Sequence, residues 1–261
     1  MGGFELGKVE EYLRERIESK GAIHITLIDP ERGSVEKLTD IACRAEKAGT
    51  SAIMIGSSTL VSQYMLDELL KEMKPRLSIP TIIFPNNIAA LTRLADAIWF
   101  MSLLNSDNPY FITGAQALAA PIVKMYGLEA IPMGYIIMGE GGAAGFIGCA
   151  RPIPYEKPEI AAAYALAAQL LGMRFIYLEA GSGVRRPIPP EAVRIVRSMI
   201  DIPLIVGGGL RTSEQIEATA AAGANIVVTG TAVEQVEDIE KLIYSFTEAA
   251  ARGAERYRRI Q

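Results

Sequence analysis

Histidine is nearly missing from this chain: His24 is the single one in 261 residues. A Ser-His-Asp hydrolase needs an imidazole beside its nucleophile and a His-rich metal centre needs several, so both are close to excluded. Strand alternation sets His24 on the face opposite Ile25, Leu27 and Asp29, which reads as core packing. Cysteine is scarce too. Cys43 and Cys149 are too few for a disulfide framework and have no metal-ligand spacing, so buried thiols are expected. No lysine stands at an interior strand position, which counts against a Schiff-base aldolase. No run of about twenty uninterrupted apolar residues occurs, and Glu5, Lys8, Glu10 and Glu11 deny the N-terminus a signal peptide's apolar core. A soluble, cytoplasmic protein without a transmembrane segment is the expectation. A basic excess is also lacking: 26 Lys and Arg stand against 30 Asp and Glu, a net charge of −4. That argues against a nucleic-acid surface. Any anionic ligand must instead be met by local N–H groups, helix N-termini, a few placed arginines or a divalent cation.

What is abundant is apolar residue and glycine: 50% of the chain is hydrophobic and 24 residues are Gly. A chain of this length can bury one barrel-sized core, and residues 1–261 read as a single domain. The organising stretch is Phe175-Ile176-Tyr177-Leu178-Glu179-Ala180-Gly181-Ser182-Gly183. In a strand Tyr177 and Glu179 share a face, and Glu179 falls at the C-terminal end, where a tight glycine turn offers N–H groups and a hydroxyl to an anion. Pro203–Val206 running into Gly207-Gly208-Gly209, and Asn225–Thr229 running into Gly230-Thr231, repeat the pattern. One such glycine cluster alone is a turn. Three successive strands ending in glycine form the phosphate-binding arrangement of a (β/α)₈ barrel.

In chain order, Leu6–Ser19 predicts an amphipathic helix ahead of the barrel. Ala22–Ile28 predicts the first strand, and Pro30 forces the chain out of the ladder and leaves Asp29 at its tip, either as a turn maker or as a displayed ligand. A helix over Val35–Lys47 stops at Gly49. The second strand, Ser51–Ile55, leads into Gly56-Ser57-Ser58-Thr59, whose hydroxyls suit either Mg²⁺ or phosphate or the cap of a helix over Val61–Met73. Pro80–Phe84 is a third strand. Ile88–Ala95 is short for the helix that should follow. Ala97–Leu104, with Trp99 as plain core, and Ala130–Met138 are the fourth and fifth strands, separated by an alanine-rich helix over Ile112–Tyr126. Gly139–Pro154 is glycine-rich and suits a mobile loop over a site. Helices over Pro158–Leu171 and Val236–Arg252 complete the pattern.

These stretches together resemble the geranylgeranylglyceryl phosphate synthase family, in its archaeal-type branch. The resemblance is carried by His24–Pro30, Ile55–Thr59, Ile83–Asn86, Tyr177–Gly183, Val206–Arg211 and Val228–Thr231, and the Tyr-Leu-Glu-Ala-Gly-Ser-Gly run is the most specific. It implies a TIM-like (β/α)₈ barrel with an N-terminal extra helix and a weak or missing third helix. It also implies Mg²⁺ as cofactor, sn-glycerol 1-phosphate as acceptor, a long-chain prenyl diphosphate as donor, and a homo-oligomer, dimer or hexamer, with transient membrane proximity for a lipid product.

On that resemblance, Glu179 and Tyr177 are the catalytic pair, and Asp29 with Ser58 holds the metal. The acceptor's glycerol and phosphate are met by Tyr177, Leu178, Glu179, Ala180, Gly181, Ser182 and Gly183 with Gly208, Gly209, Gly230 and Thr231; Gly207 joins the same cradle. Arg211 reads as a solvated charge at a helix start. The rivals are a family member with another chain length, an isomerase or synthase barrel acting on a thiamin or aromatic-amino-acid precursor, and a non-catalytic phosphate sensor. A long apolar groove from the barrel mouth toward Trp99 and the alanine-rich helix separates the transferase from the isomerase or synthase, and incubation with Mg²⁺, glycerol 1-phosphate and geranylgeranyl diphosphate separates it from the sensor.

Overall fold

A computed structural model of the chain describes residues 6–57, 59, 62–230 and 238–260. Eight parallel strands close on themselves: β1 (Ile23–Ile28), β2 (Ile53–Ile55), β3 (Thr81–Ile83), β4 (Ala97–Leu103), β5 (Glu129–Ile137), β6 (Phe175–Glu179), β7 (Leu204–Gly207) and β8 (Ile226–Thr229), with β1 paired to both β2 and β8. The chain is thus a (β/α)₈ barrel, as its strand and glycine spacing predicts.

Alternation decides what each strand faces. Ile25, Met54, Trp99, Met133, Phe175 and Ile226 fill the barrel interior. Their neighbours, such as Ile28, Ile53, Leu178 and Val206, point outward into the layer beneath the helices. His24 follows the expectation: it is buried, its ring meets Thr50 Oγ1 at 3.1 Å and Thr229 Oγ1 at 2.8 Å, and burial pulls its pKa down to about 3.

Helix α1 (Lys8–Lys20) crosses the N-terminal end of the barrel and seats Val9 and Leu13 on the interior core. The Glu129 carboxylate accepts from the first-turn N–H groups of Val9 and Glu10, each at 2.8 Å. Buried Glu10 is neutralised by Arg174 at 2.7 Å and Arg14 at 2.9 Å, and the Arg14 guanidinium lies 5.2 Å above the Phe175 ring. Removing that ring undermines both the interior core and the plug beneath it.

The remaining α-helices among the described residues are α2 (Val35–Lys47), α3 (Gln63–Met73), α4 (Ala115–Tyr126), α5 (Gly142–Ile147), α6 (Pro158–Leu170), α7 (Pro190–Arg197), α8 (Ser213–Ala221) and α9 (Ile239–Ile260). The predicted last helix began at Val236, which lies outside the described residues. After β3 the chain makes turns instead of a helix: Pro85 lacks a donor, Asn87 accepts from the Ala89 N–H at 2.7 Å, and Thr92 turns the chain through the Leu94 N–H. The barrel wall therefore has no helical cover between β3 and β4.

Three expectations are corrected. The cap of α3 is Ser62, which accepts from Met65 N–H at 3.3 Å, because Ser57 and Thr59 are drawn instead to the Glu31 carboxylate. The glycine-rich segment contains helix α5, since Gly139, Gly141 and Gly142 take positive φ and turn the chain back onto β6. Cys149 is exposed in the turn after α5 rather than buried, and Cys43 is only partly covered.

We expect Phe175→Ala to cost about 3–5 kcal/mol of unfolding free energy, because a fully buried ring leaves a cavity that a closed barrel collapses around poorly. Urea denaturation checks this, and a loss below about 1 kcal/mol would show that α1 resettles into the gap.

Candidate active site

The site lies at the C-terminal ends of the strands. One cavity of about 190 Å³ reaches from Glu179 and the glycine loops to the uncovered wall beside β3 and β4. Glu179 closes β6 on the inner face and is only 6% exposed. Its Oε1 accepts from the Gly181 N–H at 2.7 Å. Burial pushes its pKa up to about 6, against the opposing pull of the Gly181 N–H and the hydroxyls of Tyr177 and Tyr135. Both phenols are held protonated, chiefly by burial and then by the neighbouring carboxylate.

Three rings brace this acid. Phe84 stacks on Tyr177 at 5.4 Å and meets Tyr135 edge-on at 5.5 Å, and Tyr135 meets Tyr177 at 5.3 Å. The register explains the convergence: Tyr135 pairs with Tyr177, and Glu179 pairs with Gly207. Tyr135 was not singled out from sequence. Its signal was the alternation of β5, which sends Met133, Tyr135 and Ile137 inward, but the neighbour that it meets depends on register.

Gly207 has a different place from the anion cradle expected of it. A Cβ there would overlap the Tyr177 hydroxyl, so the missing side chain makes room for the phenol. Leu178 and Ala180 are likewise not in the cavity; their side chains belong to the core beneath the helices. Gly181 directs its N–H at Glu179. The N–H groups of Ser182, Gly183, Gly208 and Gly209 donate to no protein acceptor among the described residues, and all four residues line the cavity. Helix α8 does not add its own end to this cup, since Thr212 and Gln215 cap each other there. Gly230 lines the cavity as well; Thr231 lies outside the described residues.

Opposite the cup, Asp29 follows β1. Its Oδ1 accepts from Glu31 N–H at 3.0 Å and its Oδ2 lies 3.5 Å from Arg32 Nε. It is therefore a turn maker that also lines the cavity. Ser58, its expected partner, lies outside the described residues. Arg211 is anchored by its guanidinium on the Val184 carbonyl at 3.2 Å while lining the cavity, so it is more than a solvated charge.

The apolar half of the cavity passes through the wall. Trp99 is an interior residue, whereas Leu91 and Ile98 belong to the outer layer, yet all three line it together with Ala115 and Ala119 of α4. This is the groove toward Trp99 and the alanine-rich helix that separates the rival readings. It exists because no helix covers β3.

The fold and the site define a (β/α)₈ barrel with a buried acid between a cup of backbone amides and an apolar channel. Residues 12–250 match the PcrB family, and the chain belongs to that family. It is 52% identical over 248 residues to geranylgeranylglyceryl phosphate synthase of Thermofilum pendens, covering 95% of this chain and 97% of that one. It is 54% identical over 237 residues to the synthase of the same name from Pyrococcus abyssi, covering 91% and 94%. The crystal structure of (S)-3-O-geranylgeranylglyceryl phosphate synthase from Thermoplasma acidophilum with sn-glycerol-1-phosphate superposes with a TM-score of 0.89 at 38% identity, covering 95% of this chain and 99% of that one.

Gly207→Ala should drive the Tyr177 hydroxyl from its place and lower turnover roughly 10²-fold, the scale set by misplacing a reacting group by about 1 Å. Circular dichroism should remain that of the parent, and full activity in this variant would show that Tyr177 is free to move.

Proposed function

We propose that this protein is a geranylgeranylglyceryl phosphate synthase, joining sn-glycerol 1-phosphate to geranylgeranyl diphosphate through an ether bond and releasing diphosphate. The observation that carries the reading is the single cavity that unites the amide cup and the buried acid with the apolar channel. A phosphate isomerase or a phosphate sensor has no use for that channel. Incubating the protein with the two substrates and Mg²⁺, then extracting the lipid product, tests it.

In the reaction, the free N–H groups of Ser182, Gly183, Gly208 and Gly209 hold the acceptor phosphate, and Gly230, which lines the same cavity, completes the cup. Tyr177 orients the glycerol, and Glu179 takes the proton of the attacking hydroxyl as its oxygen bonds to the prenyl C1. The prenyl chain lies in the channel past Phe84 toward Trp99 and Ala119. Low polarity there keeps water from the developing allylic cation.

The donor set on the Asp29 side fits Mg²⁺. Asp29 faces the cavity with lone pairs to spare and the hydroxyl-bearing strand exit at Ser57 lines the same wall, while no group of three acidic, His or Cys side chains suited to a metal occurs among the described residues. A carboxylate beside a hydroxyl is the kind of hard oxygen donor set that would suit Mg²⁺. Asp29 with Ser58 would hold the ion, which would supply positive charge for the departing diphosphate.

No described helix is long and apolar enough to cross a membrane. We place the protein in the cytoplasm, near membranes only when its lipid product is passed on. Ile160 and Tyr164 on α6 are exposed together with Leu170 and Leu171 at its end. This apolar face supports a homo-oligomer, dimer or hexamer.

Glu179→Gln should lower kcat roughly 10²–10⁴-fold while leaving the fold intact, the usual worth of a positioned base. The carboxyl must be ionised to accept a proton and its pKa is raised to about 6, so kcat should climb as pH rises toward that value and level off above it. A profile flat from pH 4.5 to 8 would remove the base assignment. Asp29→Asn should raise the Mg²⁺ concentration needed for half-maximal activity, read by titration from an EDTA-treated stock; an unshifted midpoint would remove the metal assignment.

A further inference from the structure

We propose that Arg32 is a binding residue for the donor's diphosphate, the head group that must sit at the polar end of the apolar channel. The inference rests on the transferase reading above and deepens it. The cavity has two polar walls. On one, the glycine loops after β6 and β7 present unengaged amides, and Arg211 is fastened there by the Gly183 and Val184 carbonyls. On the other, after β1 and β2, stand Asp29, Arg32 and Ser57. The acceptor phosphate takes the amide wall, so the donor's head is left to the Asp29 wall.

That wall needs positive charge. A diphosphate carries about three negative charges, and Asp29 adds another. Among the charged residues lining the cavity, Asp29 and Glu179 are acidic and Arg32 and Arg211 are basic. With Arg211 held on the acceptor side, Arg32 is the one cation of the donor side among the described residues. Its single contact there is loose: Nε stands 3.5 Å from Asp29 Oδ2, and its side chain is 59% exposed. The two Nη groups meet no acceptor among the described residues, which leaves the outer edge of the guanidinium fork open to a phosphate in bidentate fashion.

The chemistry gives the charge a task as well as a place. The bond from prenyl C1 to the diphosphate oxygen breaks and its electron pair leaves with the diphosphate; the glycerol oxygen bonds to C1, and its proton passes to Glu179. Negative charge therefore grows on the leaving oxygen. A permanently protonated guanidinium there binds the diphosphate of the donor and goes on compensating its charge as the bond breaks.

Arg32→Ala and Arg32→Lys test this in the full-length protein. Steady-state kinetics with each substrate varied in turn should show KM for geranylgeranyl diphosphate raised roughly tenfold or more in Arg32→Ala, with KM for glycerol 1-phosphate within twofold. Arg32→Lys should fall between, keeping the charge but not the fork. Calorimetry with inorganic pyrophosphate and Mg²⁺ should show the same loss of affinity without any turnover. An indirect effect through Asp29 would instead shift the Mg²⁺ activation midpoint, which should stay put. Unchanged pyrophosphate affinity in Arg32→Ala, a shifted Mg²⁺ midpoint, or an equal rise in both KM values would overturn the assignment. A parent protein that binds pyrophosphate through Arg32 yet forms no ether would refute the transferase reading and leave this site standing.

Discussion

The arrangement depends on one buried carboxylate. Glu179 is enclosed at the mouth of the barrel, and a charge so enclosed is tolerated only if donors surround it. Gly181 N–H, Tyr177 and Tyr135 are those donors. Each imposes a condition on the chain: the turn after β6 must fold back within two residues, β5 must hold Tyr135 in register, and β7 must end without a side chain opposite the Tyr177 phenol. The glycines at 181, 207 and 208 answer those conditions. A Cβ at 208 would collide with the carboxylate itself, and its φ of +83° already favours glycine. The same burial that demands donors also lifts the acid's pKa to about 6, so structural necessity and a base poised near neutrality have one cause.

The second constraint is an omission. Barrels of this kind cover each strand's outer face with a helix. Here the segment after β3 turns through asparagine and threonine side-chain hydrogen bonds. The outer face of β4 at Ile98, with Leu91 and α4, is buried core that also forms the wall of a passage into the interior. The alanines of α4 keep that passage open, because a larger side chain at 115 or 119 would stand in it.

Much of this was legible in the sequence. Strand positions followed from β-branched runs with period two and from glycine or proline exits, and the weak pattern over Ile88–Ala95 foretold the uncovered wall. The pairing of Tyr177 with Glu179 on one face was also readable, since alternation is local. What could not be read depends on contacts between segments far apart in the chain. Tyr135 joins the acid only through the β5–β6 register. Gly207 looked like another phosphate-cradling glycine until its place beside the phenol was known. Leu178 and Ala180 sit within the most specific motif, yet their side chains serve the outer core. Ser62 won the cap of α3 because Glu31, from a different loop, engaged the hydroxyls nearer the strand.

Helix α1, locked across the floor of the barrel by Glu129 below it and by the Glu10–Arg174 pair, makes the interior a vessel with a sealed base. Nothing can pass straight through. On the transferase reading, a greasy product leaves by the open end of the barrel, and the unroofed gap beside β3 gives its tail a sideways route. The seal at one end of the molecule thereby dictates the route of traffic at the other.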